Sequence, residues 1–317
     1  MKIKTCKIIS VGNISVGGTG KTPVVKFLAT YFHNLGFSVA VLSRGYGRRS
    51  KGSVIVSNGE QILACLADSG DEPLLLARQL NNIPLLVEVD RYKGALLIQK
   101  HFKSDIILLD DGFQHRRLHR DLDIVLIDAS VGFGNGLLLP AGSLREPVSS
   151  LKRSDLVWLT RVKHTTNLDP LINEIRKYCS CPILKSNHQA TEIILAGTDN
   201  RLALSNLNQK NVFLFSGIAN PTSFERTVTN LGAKIVGHLT FSDHYLYNKK
   251  DINKICYNAK IANADLILTT EKDFVRIVDR IENLPKIYYL TIEIRIDNDI
   301  EVLKEKLSPF LKSIKKA

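Results

Sequence analysis

Apolar residues fall in short unbroken blocks along the first half of the chain. Blocks rich in Ile, Leu and Val lie at Cys6–Val11, Ser38–Leu42, Pro84–Val89, Asp105–Leu109, Ile124–Ile127 and Leu156–Thr160. Little polar alternation interrupts them, as expected of strands covered on both faces in a parallel sheet. Helical spacing marks Thr22–Leu35 and, between later blocks, Glu72–Leu80 and Tyr92–Lys100. Strand and helix alternate, which predicts an α/β fold with a doubly wound, mainly parallel sheet. The pattern loosens over residues 180–210, where short extended pieces and polar turns read as a connector with a small β-hairpin. Alternation then resumes. Strands are expected at Val212–Ser216, Lys234–His238, Leu266–Thr269 and Lys286–Leu290, and helices at Ser223–Leu231, Lys250–Asn263 and Ile300–Ile314. The expected organisation is a nucleotide-binding domain over 1–180, a linker over 181–210 and a smaller α/β domain over 211–317.

Composition changes this picture little. The 317 residues suit two domains, and 44% hydrophobic with 23% charged residues is ordinary for a soluble globular chain. Charge adds more: 43 Lys and Arg against 31 Asp and Glu leave +12, which favours anionic partners without choosing among them. Cys6, Cys65, Cys179, Cys181 and Cys256 lack zinc-site spacing and read as reduced thiols of a cytosolic protein. No signal-peptide pattern is visible, and no apolar run approaches the roughly 18 residues that span a bilayer.

Chemistry concentrates in "SVGNISVGGTGKTPVV", residues 10–25. Gly20, Lys21 and Thr22 fit the end of a phosphate-binding loop, but Ser15 stands where the first glycine belongs. A small residue serves there if its backbone keeps a negative φ. Backbone N–H groups over Ser15, Val16, Gly17, Gly18, Thr19 and Gly20 would converge on phosphates at a helix N-terminus. Lys21 would reach the β- and γ-phosphates and the Thr22 hydroxyl would ligate Mg²⁺. Pro23 falls in the first helical turn, where a missing N–H costs little. A second acidic position for the metal is expected at a strand's C-terminal end, and Asp110 with Asp111 in "DIILLDDGFQH" supplies it. In "SGDEPLLLA", the segment reads equally as a helix start, with Asp71 as N-cap and Glu72 and Pro73 in the first turn, or as a general base supplied by Asp71 or Glu72. "HRRLHRD" (115–121) is by default a solvated basic face, although it lies beside the acidic pair. "LLLPAGSLREP" (137–147) taken alone reads as structural. "NKKD" (248–251) matches the guanine-reading motif of GTPases, yet it follows no buried strand of the first domain, so Asp251 reads as a helix-start residue.

These stretches stand in a specific order: "VGNISVGGTGKTP", "LSRGYGR", "GDEPLLLA", "DDGFQHRRLHRDLDIVLID", "LLPAGSLREP", "FSGIANP", "FSDH" and "TTEKD". Over nearly its whole length the sequence resembles the tetraacyldisaccharide 4′-kinase family of lipid A biosynthesis, in which position 15 is commonly Thr or Ser. The resemblance implies a phosphate-loop NTPase fold with a second α/β domain joined by a β-hairpin linker. It implies transfer of the ATP γ-phosphate to the 4′-hydroxyl of an acylated glucosamine disaccharide 1-phosphate, with ATP and Mg²⁺ as cofactors. By motif match, Asp71 corresponds to the proposed catalytic base and His244 to its partner. Asp110, Asp111 and Glu146 correspond to the acidic residues that organise Mg²⁺ and water, and Arg91 and Arg145 to arginines near phosphates. Lys21, the arginines and the metal would offset charge on the transferring group. Asp71 and His244 fall in different expected domains, which predicts a cleft closing on substrate.

Family members usually begin with an extra amphipathic segment, whereas this sequence reaches its first strand within five residues. The basic excess and the basic C-terminal "LKEKLSPFLKSIKKA" would then serve contact with an anionic membrane, although the latter reads first as a docked terminal helix. The expected location is peripheral, on the cytoplasmic face of the inner membrane. No nucleic-acid recognition pattern and no obligate protein partner are evident. The competing reading is a non-kinase phosphate-loop switch or partitioning NTPase. Val16 stands where that class carries its signature lysine.

Overall fold

The first apolar block becomes β1 (Lys7–Asn13), and its last six residues are buried. In this computed structural model, which describes residues 1–278, 285–296 and 299–314, strands and helices follow close to the expected order. After β1 come α1 (Lys21–Asn34), β2 (Val39–Ser43), β3 (Val54–Ser57), α2 (Leu66–Ser69), α3 (Asp71–Gln79), β4 (Leu85–Val87), α4 (Arg91–Phe102), β5 (Ile106–Asp110), β6 (Leu122–Asp128), β7 (Leu156–Thr160), α5 (Asp169–Arg176) and β8 (Ile183–Lys185). They build a sheet of order β3-β4-β2-β5-β1-β6-β7-β8. The pairs inward of β3 are parallel, and β3 joins β4 antiparallel at the edge. Helix α1 buries Val24, Val25, Leu28, Ala29 and Phe32. Register aligns Val11 with Asp110, Asn13 with Leu126 and Asp128 with Thr160. The C-terminal ends of β1, β5, β6 and β7 therefore share one edge, where open α/β sheets take ligands.

The following segment holds β9 (Asn187–Leu195), β10 (Arg201–Leu202), β11 (Asn211–Ser216), α6 (Pro221–Asn230), β12 (Lys234–Thr240), α7 (Lys249–Ile261), β13 (Leu266–Thr270), α8 (Glu271–Val278) and β14 (Ile287–Arg295). Their sheet has order β10-β9-β14-β13-β11-β12, with a core of Ile193, Leu207, Val212, Leu214, Phe224, Val228, Leu268 and Leu290. The stretch read as a hairpin-bearing connector contributes the antiparallel pair β9–β10 to this sheet.

Contacts divide the chain into one unit of Met1–Ser69, Leu76–His188 and Ile294–Ala317, and another of Gly70–Leu75 and Gln189–Glu293. Sequence order would place α9 (Ile300–Ile314) with the smaller unit. It groups with the larger one instead, where Phe310 meets Phe32 and Lys306 pairs with Asp155. Residues 315–317 of the basic C-terminal stretch lie outside the described residues. The cysteine expectation also needs correction. Cys179 and Cys181 are joined as a disulfide, because the tight turn after α5 brings their Cα atoms to 5.4 Å. Cys6, Cys65 and Cys256 are free thiols; burial pushes that of Cys6 up to about 12.

Candidate active site

Two constellations hold the predicted site residues. The first surrounds the loop between β1 and α1. Gly17 and Gly20 take left-handed φ values of 102° and 86°, which glycine adopts without strain. Ser15 is not among the left-handed residues, so its Cβ is tolerated where the pattern expects glycine. It bridges to Leu144, and Val16 N–H donates to Ser143 O at 2.7 Å, tying the loop to the "PAGSLREP" segment. Asn13 Nδ2 donates to Thr19 Oγ1 at 3.0 Å, and the Thr160 hydroxyl donates to Thr19 O at 2.9 Å. Arg161 donates to Gly18 O at 2.7 Å and also pairs with Asp128. These bonds fix the Gly18 and Thr19 carbonyls, and the loop ends at the N-terminus of α1, where an anion is favoured.

Charged groups surround this loop. Lys21 Nζ lies 3.5 Å from Asp111 Oδ1, and Arg145 Nη1 donates to both Asp111 oxygens at 3.1 and 2.9 Å. Burial alone would raise the Asp111 carboxyl, but Lys21 and Arg145 hold it below the usual carboxylate range. Asp110 is buried at the end of β5 and accepts from Ser43 Oγ at 2.8 Å. Glu146 accepts from Gln114 at 3.1 Å and from Arg153 at 2.8 Å. Among the described residues no three His, Cys, Asp or Glu side chains converge on one point. The donors present at Thr22, Asp110 and Asp111 are hard oxygens, which suit Mg²⁺, and such a cation in kinases takes its remaining ligands from phosphates and water. Arg91 is only 2% exposed and donates to Glu88 O at 2.6 Å and Asp110 O at 3.2 Å, so it braces the ends of β4 and β5. Burial brings its guanidinium down to about 10.

The second constellation lies within the unit formed by Gly70–Leu75 and Gln189–Glu293. Sequence order assigned Asp71 and His244 to different domains; their contacts place both here. His244 Nδ1 meets Asp71 Oδ2 at 2.8 Å. The same oxygen accepts from Arg276 Nε at 2.9 Å and Nη2 at 2.5 Å, while Asp71 Oδ1 accepts the Glu72 N–H at 2.9 Å. Burial would raise the Asp71 carboxyl, but His244 and Arg276 hold it well below the carboxylate range. The hydrogen bond to Asp71 raises His244 above the ordinary histidine value against a smaller opposing effect of burial. His244 has φ 60°, a left-handed backbone rare outside glycine and common at functional sites. Lys272 pairs with Glu72 at 2.5 Å, so two residues of "TTEKD", Lys272 and Asp273, act beside "GDEP".

Of the candidate site residues, Lys21, Thr22, Asp110, Asp111, Arg145 and Glu146 lie in or beside the first set and Asp71 and His244 in the second, while Arg91 is buried as a brace. The sequence analysis missed Arg276, Asp273, Tyr247 and the Arg161–Asp128 pair. Their only sequence signal was proximity to "TTEKD", "FSDH" and a strand end. Asn248 caps α7 in a reciprocal capping box with Asp251, as the helix-start reading of "NKKD" requires.

Known proteins resemble this chain throughout. The profile of the family described as Tetraacyldisaccharide-1-P 4'-kinase matches residues 2–312. A Tetraacyldisaccharide 4'-kinase of Syntrophus aciditrophicus is 40% identical over 301 residues, covering 92% of this chain and 80% of that protein. One from Geobacter metallireducens is 37% identical over 290 residues, covering 91% and 84%. The crystal structure of LpxK from Aquifex aeolicus in complex with ATP superposes with a TM-score of 0.78 at 30% identity, covering 98% of this chain and 89% of that one. Among the described residues no helix is long and apolar enough to cross a membrane.

Proposed function

This chain belongs to the tetraacyldisaccharide-1-P 4′-kinase family, and on that basis we propose that it transfers the γ-phosphate of ATP to the 4′-hydroxyl of a tetraacylated glucosamine disaccharide 1-phosphate, forming the phosphorylated lipid A precursor. The loop N–H groups of Val16 and Thr19 are held by Ser143 O and Gly17 O, so Lys21 and the loop N–H groups not already engaged within the fold bind the phosphates. Arg145, held by Asp111, adds positive charge beside them. Mg²⁺, when bound, would be held by Thr22 with Asp110 and Asp111, and would neutralise charge on the phosphoryl oxygens. Glu146 keeps Gln114 and Arg153 in place. We assign peripheral attachment to the cytoplasmic membrane face, where the acyl chains of the substrate reside, to the basic surface of the chain.

The observation that carries the acid–base assignment is the His244–Asp71 contact at 2.8 Å. An ionised carboxylate only accepts, so Nδ1–H of His244 must donate to Asp71. The basic position of the neutral ring is then Nε2. The His244 side chain is 39% exposed, whereas that of Asp71 is 10% exposed with both oxygens engaged. The pair therefore works as one base: the proton of the 4′-hydroxyl passes to His244 Nε2 as its oxygen bonds to the γ-phosphorus, the bond from that phosphorus to the bridging oxygen breaks and ADP leaves, while Asp71 orients the ring and stabilises its charged form. Incubation with γ-labelled ATP and the acylated disaccharide, followed by thin-layer separation, tests this reading. Label should appear on lipid. His244→Ala and Asp71→Ala should lower turnover by about 10²–10⁴-fold with ATP binding retained. Near-normal turnover would sink the acid–base assignment. Free phosphate without labelled lipid would select the switch-protein reading.

A further inference from the structure

Arg276 is the most deeply buried cation of the second constellation, with a side chain at 0% exposure. A bare guanidinium in that position would be costly, and each arm of its fork is committed. Nε and Nη2 both donate to Asp71 Oδ2. Nη1 donates to Gly217 O at 2.5 Å and to Asp273 Oδ1 at 3.0 Å. Asp273 is equally constrained. Its Oδ1 also accepts from Tyr247 Oη at 2.9 Å and Gly217 N at 3.0 Å, and its Oδ2 accepts from Thr270 Oγ1 at 2.6 Å. The i,i+3 spacing on α8 sets Asp273 beside Arg276, so the helix presents the fork in one orientation.

We propose that Arg276, anchored by Asp273, is a positioning residue for the acid–base pair, fixing the Asp71 carboxylate against His244 and setting the charge that the histidine ring meets. This rests on the reading of Asp71 and His244 as the base. The Glu72 N–H holds Asp71 Oδ1, and the two Arg276 donors converging on Oδ2 hold the oxygen that meets His244, so the carboxylate is fixed at both ends. Asp71, Asp273 and Arg276 together carry one negative charge, and a proton on His244 brings the cluster to neutral. Asp243 faces both cations, at 3.8 Å from His244 Nε2 and 3.9 Å from Arg276. Lys272 and Glu72 form a neutral pair beside Asp71, and Tyr247 faces Asp273 as an uncharged phenol. Arg276 Nη2 is 3.5 Å from His244 Nδ1, and its charge offsets part of the pull of Asp71 and Asp243. The arginine thereby keeps the histidine from holding its proton too tightly to act as a base near neutral pH.

The test compares Arg276→Lys and Arg276→Gln with the unaltered enzyme, using the pH profile of kcat/KM and the NMR titration of the His244 ring. Arg276→Gln removes a positive charge near the ring, so both the acid limb of kcat/KM and the ring titration should move upward by about one pH unit. Arg276→Lys keeps the charge but cannot bridge Asp71 and Asp273 as a fork. It should leave the limb in place and lower kcat about tenfold or more, with KM for ATP unchanged. Arg276→Gln leaves Asp273 buried without its cation, so Asp273→Asn/Arg276→Gln, which neutralises both, serves where the single variant fails to fold; its limb should still move upward. An unmoved titration and limb in the glutamine variants, or an unchanged kcat in the lysine variant, would overturn the proposal. The base reading fails separately: turnover by His244→Ala would remove it, while the ring titration would still report whether Arg276 acts on His244.

Discussion

Gly20 shows how one missing Cβ can decide a site. It sits at φ 86° as the N-cap of α1, and a Cβ built there would lie 2.6 Å from His188 Nε2. The atom met is the far end of the His188 side chain, so that ring would have to shift; burial and then the Arg161 charge lower its pKa to about 3, so it is neutral. Gly20→Ala should therefore cost about 1–2 kcal/mol from the left-handed backbone alone, with displacement of His188 in addition. The expected result is a lower melting temperature and a raised KM for ATP; an alanine enzyme with an unchanged KM would show that the loop tolerates a Cβ at this corner. Sequence patterning marked Gly20 from the motif, but not His188, whose ring lies 168 positions away in sequence and arrives only through the fold. Arg276 is a similar case. A charged residue within "EKDFVRIV" reads as surface on any helix, and its burial depends on two aspartates from separate places in the chain, Asp71 and Asp273.

Elements were legible where apolar blocks were long. β1, β2, β5, β6 and β7 were recognisable because each is buried on both faces. Strand β3 was not. It has four residues at the sheet edge, two of them half-buried, so burial left little signature. Helix α8 was missed because it is only eight residues long and follows β13 without a turn, its start falling inside the polar "TTEKD". Helix α7 was found, and its start can be tested. Asn248 accepts from the Lys250 and Asp251 N–H groups, and Asp251 accepts the Asn248 N–H in return. Asn248→Ala should cost about 1 kcal/mol of stability without altering the preference for ATP over GTP. A loss of nucleotide discrimination on competition between the two would return "NKKD" to base recognition.

At the scale of the whole molecule, charge makes a separate prediction. With +12 on 317 residues, the protein should co-sediment with vesicles containing anionic lipid, and the bound fraction should fall as salt rises from about 0.05 to 0.5 M because surface attraction is screened. Binding equally strong to neutral vesicles would shift the explanation from charge to apolar contact. Sequence alone determined the α/β class, the phosphate-loop pattern and the family, because these depend on local spacing: apolar period, glycine position and motif order. Only the tertiary structure decided which distant side chains meet. It placed Gly70–Leu75 with Gln189–Glu293 and seated Arg276 between Asp71 and Asp273. It also returned α9 to the first unit and closed Cys179 on Cys181. Such pairings follow from where strands and helices bring the chain in space. Burial of a charge becomes favourable only once its partners are there to meet it.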